Sequence, residues 1–159
     1  MKKETIFLRL TIYVMGLIML AFCAIVVPHY LIGSNNLMPD IPIFTILLGL
    51  GLYVSAILFF TILFQALKLL NLIDQENAFS NASVKSLKNI KQLAYSICII
   101  FILELPIFYA FAERDDAPGV ILVCAVFSGA PLVIAIFASV LEKLLRHAIK
   151  IKSENDLTI

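Results

Sequence analysis

The chain has 159 residues, 62% of them hydrophobic, and a formal net charge of +1. Soluble domains contain about 45–50% apolar residues, so this composition excludes a soluble protein and leaves room for four membrane helices with short links. The small net charge gives no reason to expect direct nucleic-acid binding.

Basic residues are concentrated in three stretches that alternate with four apolar runs. Only Arg114 falls outside those stretches; the other eleven of the twelve Lys/Arg residues are Lys2, Lys3, Arg9, Lys68, Lys85, Lys88, Lys91, Lys143, Arg146, Lys150 and Lys152. Cytoplasmic segments of membrane proteins carry an excess of Lys and Arg. The distribution therefore predicts a multi-pass protein of the cytoplasmic (cell) membrane with both termini in the cytoplasm.

The first two predicted spans are residues 10–32 and 43–67, joined by a short external link rich in turn residues. The first span contains no charged residue. On the second, Gly51 and Ser55 form a small-xxx-small pair, which permits close packing of a neighbouring helix.

Residues 68–91 form the predicted cytoplasmic linker. Ser80 has the position of a helix N-cap, and Val84, Leu87 and Ile90 recur at helical spacing after it. This pattern predicts an amphipathic helix on the membrane surface that leads into the third span. Its basic stripe, formed by Lys85, Lys88 and Lys91, has two interpretations: ordinary topology and lipid contact, or a docking surface for an acidic cytoplasmic protein.

The third and fourth predicted spans are residues 92–112 and 119–141, followed by a cytoplasmic helix and tail over 142–159. Glu142 and Arg146 are spaced for an i,i+4 ion pair on that helix. Taken together, the chain is predicted to be one all-α integral membrane domain, a four-helix transmembrane bundle with cytoplasmic helix extensions that is surrounded by the lipid bilayer.

Glu104 is the one charged residue well inside a predicted span. A charged carboxylate near the bilayer centre costs about 2.5–3.5 kcal/mol, so protonation, a partner or a wet cavity must offset the cost. His29 is the nearest candidate partner by depth, with Tyr30, Tyr53 and Tyr109 as others. Glu104 and His29 are therefore predicted to form either a polar clasp between the first and third helices or a ligand, proton or ion site.

Enzymatic sites are not predicted. The three cysteines lie inside apolar runs without a CxxC pair, and they are interpreted as buried free thiols. The sequence has no phosphate-binding glycine loop and no metal-ligand spacing. We therefore expect no cofactor, no metal and no catalytic residues.

The last segment, residues 153–159, reads SENDLTI and is predicted to follow the end of the cytoplasmic helix as a free tail. This ending resembles the terminal signature of DUF2975, a family of small bacterial four-span membrane proteins. The internal NAFS motif at 77–80 and SLKNI at 86–90 are similar to the central cytoplasmic segment of that family. This chain has Glu-Asn-Ala at 76–78, where family members often carry a glycine just before the phenylalanine.

The resemblance implies genomic company, because such proteins are often encoded beside a small helix-turn-helix regulator. It suggests a non-enzymatic anchor or sensor that binds or sequesters that regulator. The contact surfaces would be the basic stripe and the tail, whose residues Glu154, Asn155, Asp156, Leu157, Thr158 and Ile159 could add a strand or a short helix to a partner groove. The alternatives are a small transporter, channel or immunity-type subunit that uses Glu104, and a structural subunit of a larger complex; a homo-oligomer is compatible with each.

Overall fold

In the computed structural model, which describes residues 2–37 and 39–158, all regular secondary structure is helical. The helices are α1 Lys2–Ala21, a π-helical segment Phe22–Val26, α2 Val27–Leu37, α3 Pro42–Asp74, α4 Asn81–Arg114 and α5 Gly119–Leu157. Since α1, the π-helical segment and α2 are continuous, they form one long helix. This helix and α3, α4 and α5 are each long and apolar enough to cross a membrane, which confirms the predicted all-α membrane bundle.

The four predicted spans each lie within one of these long helices. The external link is shorter than predicted, because α2 continues through Pro28 and the turn-rich segment as far as Leu37. A π-turn precedes the proline: the Val27 N–H donates to the carbonyl of Phe22. A π-turn of this kind accommodates Pro28, whose backbone nitrogen has no hydrogen to donate.

α4 is the central helix of the bundle. It packs most extensively on α5 and next on α3, while α1 and α2 pack on α3. Leu48 of α3, Phe108 and Phe111 of α4, and Cys124 of α5 form a buried cluster towards the end of the bundle that carries the α4–α5 turn. The outer faces of all four long helices remain apolar and exposed, as lipid contact requires.

The linker between α3 and α4 differs from the prediction in one respect. Ser80 caps α4 as predicted, accepting a hydrogen bond from the Ser83 N–H at 3.4 Å. However, α4 runs without a break from Asn81 into the membrane-spanning part, and Val84, Leu87 and Ile90 are buried within the protein. The apolar face of this segment therefore packs inside the bundle and does not rest on the membrane surface.

The tail is also corrected. α5 continues to Leu157, so the segment predicted as a free tail is helical through that residue. Thr158 ends the helix, where its hydroxyl donates to the carbonyl of Asn155 at 2.8 Å. This segment is therefore a helix and not a strand. The predicted contact residue Ile159 lies outside the described residues.

Candidate functional site

Glu104 lies inside the bundle with 5% of its surface exposed. Its carboxylate is directed from α4 onto the backbone of α3, where it lies directly against Gly51. A side chain at position 51 would overlap this carboxylate, so the absence of a Cβ provides the space that Glu104 occupies. The small residue noted on the second span thus permits a close approach, made here by a carboxylate.

Neither carboxylate oxygen of Glu104 has a hydrogen-bond partner among the described residues. The predicted clasp with His29 is not formed, because His29 is exposed on α2. The tyrosines do not replace it: the Tyr53 hydroxyl donates to the Cys23 carbonyl at 3.4 Å, at the π-helical segment. Because buried polar groups are usually paired, an unpaired buried carboxylate is a candidate functional group.

Other polar groups near this part of the bundle give Glu104 little support. Ser55, one helical turn along α3 from Gly51, is buried with an unpaired hydroxyl. The buried Ser128 hydroxyl of α5 donates to the Cys124 carbonyl at 2.9 Å and is therefore occupied within its own helix. Over the residues that the structure describes, no cluster of three His, Cys, Asp or Glu side chains could hold a metal ion.

A second buried carboxylate, Glu142 of α5, lies where the bundle leaves the predicted membrane span. The Lys91 ammonium of α4 donates to Glu142 Oε2 at 2.8 Å, and the Arg146 guanidinium donates to Oε1 at 2.9 Å. The i,i+4 pair was predicted from the sequence; the interhelical partner Lys91 was not. The hydrogen bond from Lys91 and, to a lesser extent, the bond from Arg146 lower the pKa of Glu142, although burial opposes them.

This ion cluster changes the predicted docking surface. Lys91 is half-buried and bound to Glu142, so it belongs to the α4–α5 contact. Lys85 and Lys88 remain exposed on the outer side of α4. Of the predicted basic stripe, these two lysines are therefore available to a partner.

The far end of α5 projects beyond the helix pair. Lys91 faces Glu142 in an antiparallel arrangement, so the start of α4 at Asn81 lies at about the level of Lys152. Every residue from Ile151 to Thr158 is exposed. The predicted contact residues Glu154 to Thr158 therefore lie at a helix end that packs against no other described helix. This end is distant from Glu104 along the bundle.

The comparisons with known proteins agree with this architecture. The model of the family described as "Protein of unknown function (DUF2975)" matches residues 3–159. The chain is 48% identical over 158 residues to YoaS of Bacillus subtilis (strain 168), described as an uncharacterized membrane protein, and the alignment covers 99% of each chain. No solved structure shows significant similarity to the chain.

Proposed function

Because the chain belongs to the DUF2975 family of membrane proteins, we propose that it acts as a non-enzymatic membrane anchor that binds a small helix-turn-helix regulator at its cytoplasmic end. The observation that carries this proposal is the helical end of α5, whose residues from Ile151 to Thr158 are all exposed. The main contact surface is this end, and Lys85 and Lys88 would contact acidic groups of the same partner.

The helix pair that carries the projecting end is firmly joined. Lys91, Glu142 and Arg146 tie α4 to α5 just outside the predicted spans, and Val84, Leu87 and Ile90 bury an apolar seam beyond them. A rigid support reduces the conformational entropy that is lost when a partner binds. Residues 152–157 add about 9 Å of helix past the support, enough to enter a groove on a small protein.

The charges of the projecting end fit partner binding better than helix stability. Glu154 and Asp156 lie in the last turns of α5, and the last turn contains no basic residue. The helix dipole favours cations at that end, so these carboxylates oppose it by tenths of a kcal/mol. DNA-binding regulators carry basic surfaces, which an acidic helix end complements, and Leu157 beside it is 83% exposed.

The proposal places both termini in the cytoplasm. The support is the distribution of Lys and Arg, which are concentrated at the end of the bundle where α1 begins, α3 meets α4, and α5 ends. At the other end, the last turn of α4 and the α4–α5 turn contain Glu113, Asp115 and Asp116 around a single Arg114. Fusions of a reporter to each terminus and to that turn test this orientation.

The binding proposal is tested by co-expressing the intact protein with the helix-turn-helix regulator encoded nearest to it, tagged with a fluorescent protein. We expect the regulator at the membrane with the intact chain and in the cytosol after deletion of residues 153–159. The double variant Glu154→Gln, Asp156→Asn should weaken recruitment about tenfold, as expected when two contact charges of about 0.7 kcal/mol each are lost.

A matched control removes the same charges at the opposite end of the bundle. The variant Glu113→Gln, Asp116→Asn should leave recruitment unchanged, because these residues lie at the end of α4 and in the turn that follows it. A regulator that stays cytosolic with the intact chain would contradict the anchor proposal. Equal loss of recruitment in both double variants would show that general charge is responsible.

The second candidate function is proton or cation transfer through Glu104. Its support is the carboxylate itself, 5% exposed and with neither oxygen hydrogen-bonded to any described residue. Intramembrane carboxylates of this kind can take up and release a proton or a monovalent cation. The purified protein in vesicles with an imposed potential should then carry a proton or sodium flux that Glu104→Gln abolishes and Glu154→Gln does not. A flux equal to that of empty vesicles would reject this candidate.

A further inference from the structure

We propose that α1 and α3 together form a binding site for the phosphate headgroup of an anionic phospholipid. A cleft of about 440 Å³ opens between these helices and is lined by Arg9, Tyr13, Phe64, Leu67, Lys68 and Asn71. It lies at the end of the bundle where the apolar runs of both helices stop. The site is separate from Glu104 and from the projecting end of α5, and it does not depend on either proposed function.

The polar part of the cleft combines two cations, Arg9 and Lys68, with the Asn71 amide and the Tyr13 hydroxyl. Both bonds made by Arg9 come from Nη2, which donates to Asn71 Oδ1 at 2.7 Å and to Asp74 Oδ2 at 2.9 Å. Nη1 is thus left without a partner among the described residues, and it is not among the unpaired atoms that are buried. Lys68 is exposed and forms no ion pair with any described residue. No carboxylate lines the cleft.

Each of the two helices carries one cation and one aromatic residue that are a single helical turn apart. On α1, Tyr13 lies one turn after Arg9; on α3, Phe64 lies one turn before Lys68. Residues at i and i+4 share a helix face, and the helices are antiparallel, so both aromatic rings lie about 6 Å deeper in the membrane than the cations. Tyr13 and Phe64 are 61% and 66% exposed.

This arrangement matches the chemistry of a phospholipid. The phosphate would lie between Arg9 Nη1 and the Lys68 ammonium, and the acyl chains would run along the two aromatic rings. Basic pockets between membrane helices at the cytoplasmic surface bind anionic headgroups in this way. A free phosphate ion would bind the cations but would not contact the exposed aromatic rings. The presence of these rings therefore favours a lipid as the ligand.

The test uses the purified full-length chain in detergent, with dioleoyl phosphatidylglycerol as the probe and native mass spectrometry to count bound lipids. Lys68→Gln should weaken binding about fivefold, the effect expected from one basic residue at an anionic surface. The matched control Lys143→Gln removes the same charge from an exposed lysine outside the cleft, and binding should not change. Arg9→Gln combined with Lys68→Gln should weaken binding about thirtyfold.

Two competition experiments identify the source of the phosphate. Dioleoyl phosphatidylcholine should bind at least fivefold more weakly, because its headgroup carries no net charge. Millimolar inorganic phosphate should not displace phosphatidylglycerol; if it does, the lipid assignment is overturned. An equal loss in Lys68→Gln and Lys143→Gln would also overturn the proposal. Because Lys68 is exposed and forms no ion pair, the single variant tests the site even if Arg9→Gln destabilises the α1–α3 contact.

Discussion

Glu104 and Glu142 are two buried carboxylates on adjacent helices, and each is 5% exposed. Glu142 accepts hydrogen bonds from Lys91 and Arg146, whereas Glu104 rests against the Gly51 backbone with both oxygens unpaired. Equal burial therefore accompanies opposite electrostatic environments. A carboxylate with two cationic partners is explained by structure alone, whereas one without partners calls for a functional explanation.

The difference also follows from position along the bundle. Glu142 lies next to the end of the predicted fourth span, where Lys91 and Arg146 keep their charged heads partly in water at side-chain exposures of 24% and 57%. Near the bilayer centre no cation of this chain is available, since long basic side chains reach water only near the helix ends. The ion cluster thus joins α4 to α5 at one end, and the unpaired carboxylate marks the middle.

The largest expected effect is that of Glu142→Gln. The change leaves Lys91 and Arg146 without their shared anion, and the loss of one partner from a buried ion pair costs about 3–5 kcal/mol. Because both cations are partly exposed, we expect a smaller loss, about 2–3 kcal/mol of unfolding free energy, measured by denaturant titration in mixed micelles. The control Glu154→Gln, at an exposed position, should change stability by less than about 0.5 kcal/mol. Equal effects of the two variants would contradict a structural role for Glu142.

The next effect is expected from Gly51→Ala. The added methyl group would overlap the Glu104 carboxylate, and overpacking of a buried contact costs about 1–3 kcal/mol. Glu104→Ala in the same chain should recover most of that loss, so a double-mutant cycle in unfolding free energy should give a large favourable coupling. Gly129→Ala is the matched control, because nothing lies within 4 Å of its added Cβ. Additive effects of Gly51→Ala and Glu104→Ala would contradict a direct contact between these two residues.

The sequence predicts the spans well because burial in lipid imposes a simple rule. Backbone polar groups must be paired inside each helix, so apolar runs of about twenty residues become spanning helices. Ser80 marks the start of α4 because its side chain caps a free backbone N–H, and Gly51 permits close contact because it has no Cβ. These features depend on residues close together in the sequence.

The sequence does not identify the correct partners of residues that lie on different helices. Lys91 and Glu142 are separated by 51 positions, and the sequence gives the depth of each residue but not the rotation of each helix. For that reason Lys91 was assigned to a docking surface and His29 was expected at Glu104. Helix periodicity could have indicated Lys91, because it lies four residues after the buried Leu87 and three before the buried Ala94, on the same face of α4.

Acidification should have a smaller effect on stability, through the protonation of Glu142. The folded pKa of Glu142 is lowered from its ordinary value of 4.5, so its contribution to stability is complete above that value and is lost as pH falls through the folded pKa. We therefore expect unfolding free energy to decline below about pH 4.5 in the wild type and to decline less steeply in Glu142→Gln. Equal slopes in both proteins would show that other carboxylates cause the decline.

The smallest change is expected from Glu104→Gln, and it tests the comparison most directly. Among the described residues the carboxylate has no partner to lose, and replacing a charge-bearing group by a neutral one of the same shape removes a desolvation cost. Unfolding free energy should therefore stay within about 0.5 kcal/mol of the wild type or rise. A loss above about 1 kcal/mol would mean that Glu104 has a partner outside the single chain, and crosslinking of the wild type and Glu104→Gln would then test whether that partner is a second copy.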